Sequence, residues 1–145
     1  MISVFDVAKY ILSKKNPISA MTLQKLVYYC QAWSIVWDGA QLFKEDIEAW
    51  ANGPVVRALF NAHKGKYMIK ELPTGNVKNL SLIQKETIDA VLKFYGGKSP
   101  LWLSDLTHRE EPWLKARKGI SDGERGTSKI SLASMEEYYS SLQPK

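Results

Sequence analysis

Cysteine is nearly missing from this chain, which has Cys30 alone, and histidine is confined to His63 and His108. A single thiol excludes an internal disulfide and suits a reducing cytoplasm. One thiol and two distant imidazoles do not supply the clustered ligands of a zinc site. His108 and Glu111 fall about one helical turn apart, but Pro112 interrupts the helix there. Apolar runs approaching the ~20 residues that cross a bilayer are also missing. The opening MISVFDVAKY carries Asp6 and lacks the basic region and cleavage site of a signal peptide, so a cytoplasmic location is expected. No Gly-rich phosphate loop, nucleophile elbow or HExxH motif occurs. Cys30 lies in the most apolar stretch, where a thiol is a small buried hydrophobe with a raised pKa. Glu48 is a lone carboxylate without the partner that acid–base chemistry needs. The expectation is a protein without catalysis or cofactor; a cleft lined by His108, Glu110 and Glu111 would revive an enzymatic reading.

Aromatic residues, by contrast, are plentiful. Five Trp and seven Tyr in 145 residues can fill a core, and they are also the residue types that anchor protein–protein interfaces. A formal net charge of +5 favours acidic partners or a nonspecific pull on nucleic acid.

Helical spacing and capping signals organise the chain. Ser3 with Asp6 forms an N-cap pair ahead of Val4, Val7, Ala8 and Ile11, and Asn16-Pro17 stops that helix. A second helix starts near Ser19–Thr22 and runs through LQKLVYYCQAWSIVW to a C-terminal cap at Gly39. Beyond Lys25 it is apolar nearly all round, with Gln24, Gln31 and Ser34 as a thin polar stripe, which predicts a central helix wrapped by the others. Ser81 with Gln84, Ser99-Pro100, Pro112 and Ser134 with Glu137 mark the starts of four later helices, the first of them ending at Gly96-Gly97. Residues 66–80 read as a loop or short hairpin, and 120–128 as a polar, glycine-rich loop. The fold class is mainly α: a compact single-domain helical bundle with at most a small β element.

The stretch EDIEAWANGPVVRALFNAHKG, from Glu45 to Gly65, contains the sharpest corner. Ile47, Ala49 and Ala51 alternate with Glu48 and Trp50 as in an extended piece. Pro54 fits the first position of a helix, because its missing N–H would go unpaired there anyway. The unpaired N–H groups of that helix attract anions, so Glu48 is expected to fold back on them and fix the turn. After the corner come Arg57, Lys64, Lys66 and Lys70 without an acidic residue, interleaved with His63 and Tyr67. Arg57 and Lys64 share one helical face and are expected to remain exposed. These six residues are the candidate partner-binding patch, suited to an acidic protein surface or to phosphate.

Four blocks then stand in order: LQKLVYYCQAW at Leu23–Trp33, LF at Leu42-Phe43, IEAWANGPVV at Ile47–Val56, and LTHREEPW at Leu106–Trp113. Together they resemble the Panacea domain, shared by SocA-like antitoxins and the phage-associated protein GepA, and the resemblance extends over nearly the whole chain. The matching positions are Leu23, Lys25, Leu26, Tyr28, Tyr29, Gln31 and Trp33, then Glu48, Trp50, Gly53, Pro54 and Val55, then His108, Pro112 and Trp113. Most of them read as scaffold, with Leu26, Tyr29 and Trp33 on one core-facing stripe. The resemblance implies an antitoxin of a bacterial or prophage two-gene operon that neutralises a cognate toxin by direct protein–protein contact. It also implies, from one member of the family, a role as proteolytic adaptor that delivers the toxin to a cytosolic ATP-dependent protease. Many relatives carry an added helix-turn-helix domain; here the blocks begin almost at residue 1, so one domain over 1–145 without it is expected. The alternative reading is a small basic nucleic-acid-binding or phage regulatory protein, whose affinity would fall steeply with salt.

Overall fold

A computed structural model describes residues 2–142. The first helix, α1 (Val4–Lys14), opens on the reciprocal Ser3–Asp6 capping box, and Asp6 does more than cap. Its carboxylate also accepts from the Asn76 amide at 2.7 Å and from the Asn79 side chain, tying down the segment 76–79. Burial works against its charge, but these hydrogen bonds prevail and hold its pKa below the usual carboxylate range.

Past a cis Asn16-Pro17 bond lies β1 (Ile18–Ser19), then α2 (Ala20–Asp38). Ser19 caps α2 by accepting from the Thr22 amide, and Gly39 ends it in the left-handed conformation at φ 67°. Every residue of α2 from Thr22 to Ile35 is buried, and α1 and the later helices α4 (Leu82–Tyr95), α5 (Pro100–Arg109) and α7 (Leu132–Leu142) pack around it, as the all-round apolar pattern requires. The polar stripe on α2 is therefore internal. Gln31 accepts from the Leu42 and Phe43 amides through Oε1 and donates to the Phe43 carbonyl through Nε2. One helical repeat earlier, Gln24 treats Val56 the same way, accepting its N–H at 2.8 Å and donating to its C=O at 3.3 Å. Each side chain behaves as a strand edge of one residue, fixing an irregular segment on a helix that offers no free backbone groups of its own.

The corner after α2 differs from the expectation. Glu48–Trp50 (β2) and Gly53–Val55 (β3) form an antiparallel hairpin, and α3 (Arg57–His63) begins only after Val56. Pro54 thus sits in a strand, not at the first position of a helix. The register explains why it is tolerated: Pro54 faces Ala49, whose N–H donates to Ser128 O and whose C=O accepts from Arg117. Ala49 asks nothing of Pro54, so the missing N–H leaves no gap in the ladder. Gly53 has φ 123°, a conformation that favours glycine, and an added Cβ would lie 2.5 Å from Lys25 Cε.

A second small ladder joins β1 to β4 (Met68–Ile69), with Ile18 opposite Ile69. The remaining helices are α4 (Leu82–Tyr95), α5 (Pro100–Arg109), α6 (Glu111–Ala116) and α7 (Leu132–Leu142). The Ser81–Gln84 box and Ser99-Pro100 start α4 and α5 as read from sequence. The expected cap of α7 is corrected: Ser131, not Ser134, accepts from the first-turn amide, and Ser134 is the residue that donates it. Seven α-helices and two two-stranded ladders among the described residues make a mainly α bundle. None of these helices is long and apolar enough to cross a membrane.

Candidate functional site

Beside the hairpin, the start of α2, α3, the segment after it and the loop 123–127 enclose a cleft of about 870 Å³. Five of the six residues of the candidate patch line it: Arg57, His63, Lys64, Lys66 and Tyr67. Lys70 does not; it follows β4, where its carbonyl accepts from the Asn16 side chain. Three cleft residues that the sequence reading did not associate with the patch are Lys25, Trp50 and Arg125. Among the described residues that line the cleft there is no Asp or Glu.

The lining residues are not alike. His63 is buried, with Nε2 against Gln24 Nε2 at 3.0 Å, and burial pulls its pKa below the ordinary value. Tyr67 is 76% exposed at the mouth, where Lys64 and Lys66 are exposed as well. Arg57 lies on the rim but is engaged: its Nε and Nη2 donate to the two carboxylate oxygens of Glu48 at 3.0 and 2.9 Å. Glu48 also accepts from Trp50 Nε1, and the Arg57 guanidinium lies 5.3 Å from the centre of the Trp50 ring. Glu48 therefore pairs with Arg57 rather than folding onto a helix N-terminus, and the hydrogen bonds from Arg57 hold its pKa below the usual range.

Lys25 is the unusual member. It reaches from α2 to a place beneath Gly53 and is 1% exposed. Among the described residues it makes no ion pair and no side-chain hydrogen bond, and burial alone lowers its pKa to about 8. Its sequence signal is slight: a single cation within LQKLVYY, at the point where an apolar helix begins.

The far wall is set by Arg117, a buried cation that the sequence reading passed over. Its Nη1 donates to the Ala49 carbonyl and its Nη2 to those of Ser121 and Glu124, while its guanidinium lies 5.2 Å from the centre of the Trp113 ring. The loop carrying Gly123, Arg125, Gly126 and Thr127 is thereby drawn against the hairpin.

His108, Glu110 and Cys30 lie outside the cleft lining. Both ring nitrogens of His108 lie against carbonyl oxygens, those of Ser104 and Ala51, and its ring packs on Trp113. Trp113 Nε1 in turn donates to Trp50 O, so the LTHREEPW segment braces the hairpin from behind. Pro112 lies in the first turn of α6. Glu110 is buried and accepts from Tyr29 and Tyr139, both at 2.7 Å, and Tyr28 reaches Tyr139 at 2.9 Å. Burial raises the Glu110 pKa against these stabilising hydrogen bonds, and burial raises that of Cys30. None of His108, Glu110 and Glu111 lines the cleft. Among the described residues, no three His, Cys, Asp or Glu side chains gather as a metal site would require.

A family model described as "Antitoxin SocA-like, Panacea domain" matches residues 23–114. The chain belongs to this family. Comparison with curated proteins gave no match, and comparison with solved structures gave none. The matched part is narrower than the expected near-whole-chain resemblance, running from the first turn of α2 into α6. Within this Panacea domain lie the hairpin, α3, the Glu48–Arg57 pair and Lys25; Arg117 and the loop it tethers follow the matched residues. Leu23, Leu26, Tyr28, Tyr29 and Trp33 are all buried in the Panacea core. Trp33 Nε1 donates to Tyr95 OH at 2.9 Å, and Tyr29 stacks on Tyr95 with ring centres 4.0 Å apart.

Proposed function

We propose that this Panacea-domain chain is the antitoxin of a toxin–antitoxin pair and neutralises its cognate toxin by direct binding in the cleft, without catalysis. The observation that carries the reading is the cleft itself: about 870 Å³, bordered by Trp50, Phe60 and Tyr67, with only cations among its charged lining residues. Aromatic walls supply contact area at little entropic cost, and cations at the mouth select and steer an acidic partner. The locked state of His108, Glu110 and Cys30 supports binding over chemistry, since none of them is presented together with another reactive group. Delivery of the toxin to an ATP-dependent protease is a separate proposal, read from the toxin's half-life in cells with and without this chain.

The test is co-expression with the product of the adjacent reading frame. The wild-type chain is expected to restore growth and to co-purify with that product. Reversing the exposed cations together (Lys64→Glu, Lys66→Glu, Arg125→Glu) should abolish rescue while leaving the melting temperature nearly unchanged, because these side chains make no buried contacts. Rescue by the triple variant equal to wild type would remove the cleft mouth from the interface. A nucleic-acid-binding role is favoured only by the same cations beside the exposed Tyr67; it would show as gel-shift affinity falling steeply between 50 and 200 mM salt.

A further inference from the structure

We infer that the floor of the cleft is a carboxylate seat, in which Lys25 receives one Asp or Glu side chain of the bound protein partner. The inference rests on the antitoxin reading for the partner being a protein, and on the geometry of the floor for the seat.

Lys25 is 1% exposed, lines the cleft and has neither an ion pair nor a side-chain hydrogen bond among the described residues. A buried ammonium left unpaired is costly, and among the described residues that line the cleft there is no carboxylate to relieve it. The charged groups around that space are Arg57 from α3, Lys64 and Lys66 after it, and Arg125 from the tethered loop, with the His63 imidazole and the Tyr67 phenol as the other titratable groups. The charged ones are all cations, His63 is held toward the neutral form, and Glu48 is already committed to Arg57.

The floor selects a carboxylate on an apolar stem over a phosphate chain. Lys25 is a single buried point charge in a cleft that Met21, Val55 and Phe60 also line, whereas successive phosphates would need several donors at that depth. Gly53 clears the approach, because any side chain there would collide with the Lys25 stem. A seated carboxylate would also raise the lowered Lys25 pKa, so that binding between about pH 8 and the raised pKa is coupled to proton uptake.

The probe is the peptide acetyl-Glu-Trp-Glu-amide, with acetyl-Gln-Trp-Gln-amide as its neutral control, titrated into the full chain carrying ¹³C-labelled lysine. The Lys25 ¹³Cε resonance, assigned with Lys25→Arg, is expected to titrate near 8 in the free protein and at least one pH unit higher with the acidic peptide bound. Affinity should fall about tenfold per pH unit above pH 8 up to the new pKa. Lys25→Met should lower affinity at least tenfold while raising the melting temperature, a combination that a merely structural lysine would not give. Equal binding of both peptides, an unmoved Lys25 resonance, no binding of the acidic peptide, or full affinity in Lys25→Met would each overturn the seat. A (dT)8 oligonucleotide that shifts Lys25 where the peptide does not would overturn it in favour of nucleic acid. A Lys25→Met chain that still rescues growth at full strength removes only the seat; loss of rescue by the wild-type chain removes the antitoxin reading.

Discussion

Replacing Lys25 by Met is expected to stabilise the fold by about 3 kcal/mol near neutral pH, raising the melting temperature by roughly 6–12 °C. The figure follows from the lowering of the Lys25 pKa from 10.5 to about 8 in the folded chain. In the unfolded chain the lysine stays protonated up to its ordinary pKa, while in the folded chain it gives up its proton near 8. Between those values the unfolded state binds more protons, so wild-type stability rises with pH; the penalty is fully present below about pH 8 and gone above 10.5. Lys25→Met lacks that rise, and the two chains should converge in stability as pH increases from 8 to 10. Above about 10 both lose stability together, because Tyr28, Tyr29 and Tyr139 are buried in the protonated form and their unfolded counterparts ionise near 10. Urea denaturation of the two chains across pH 7–10 measures the difference directly. A destabilised Lys25→Met at pH 7 would show that Lys25 has a stabilising partner in the fold.

Gln31→Leu acts in the opposite direction and is the most damaging single change expected in α2. Leucine fills a comparable volume but leaves the Leu42 amide and both backbone groups of Phe43 buried without partners. At about 1–3 kcal/mol for each orphaned group, partly relieved by local shifts, the loss is about 3–5 kcal/mol. Denaturant unfolding at neutral pH checks it, and the loop before β2 should lose amide protection ahead of the α2 core. A loss below about 1 kcal/mol would mean that water replaces the glutamine, and the clamp would then not be what holds that loop.

What the sequence disclosed and what it hid divide along a physical line. Helix ends were legible because their signals are local: Ser3 with Asp6, Ser81 with Gln84, Ser99 before Pro100 and Gly39 each act within one turn. The central place of α2 was legible from composition, since a helix apolar on all sides has to be surrounded. Pro54 misled because the same missing N–H suits a helix start and a ladder position whose partner bonds outward; only the pairing with Ala49 decides between them. The β1–β4 ladder brings Ile18 to Ile69, a pairing with no local signature. The cationic run after the corner led to the cleft mouth, but Lys25 and Arg125 reach it from distant parts of the chain. Nothing in LQKLVYY says that its lysine is sealed inside.

Arg117 donates its hydrogen bonds to main-chain oxygens, those of Ala49, Ser121 and Glu124, which every amino acid offers alike. The clasp is therefore indifferent to the side chains of Asp122, Arg125 and Thr127, but not to two glycines: Gly123 holds φ 79°, and a Cβ on Gly126 would lie 3.0 Å from Arg117 Nη1. Mutation can rewrite the lettering between those fixed points while the loop keeps its shape.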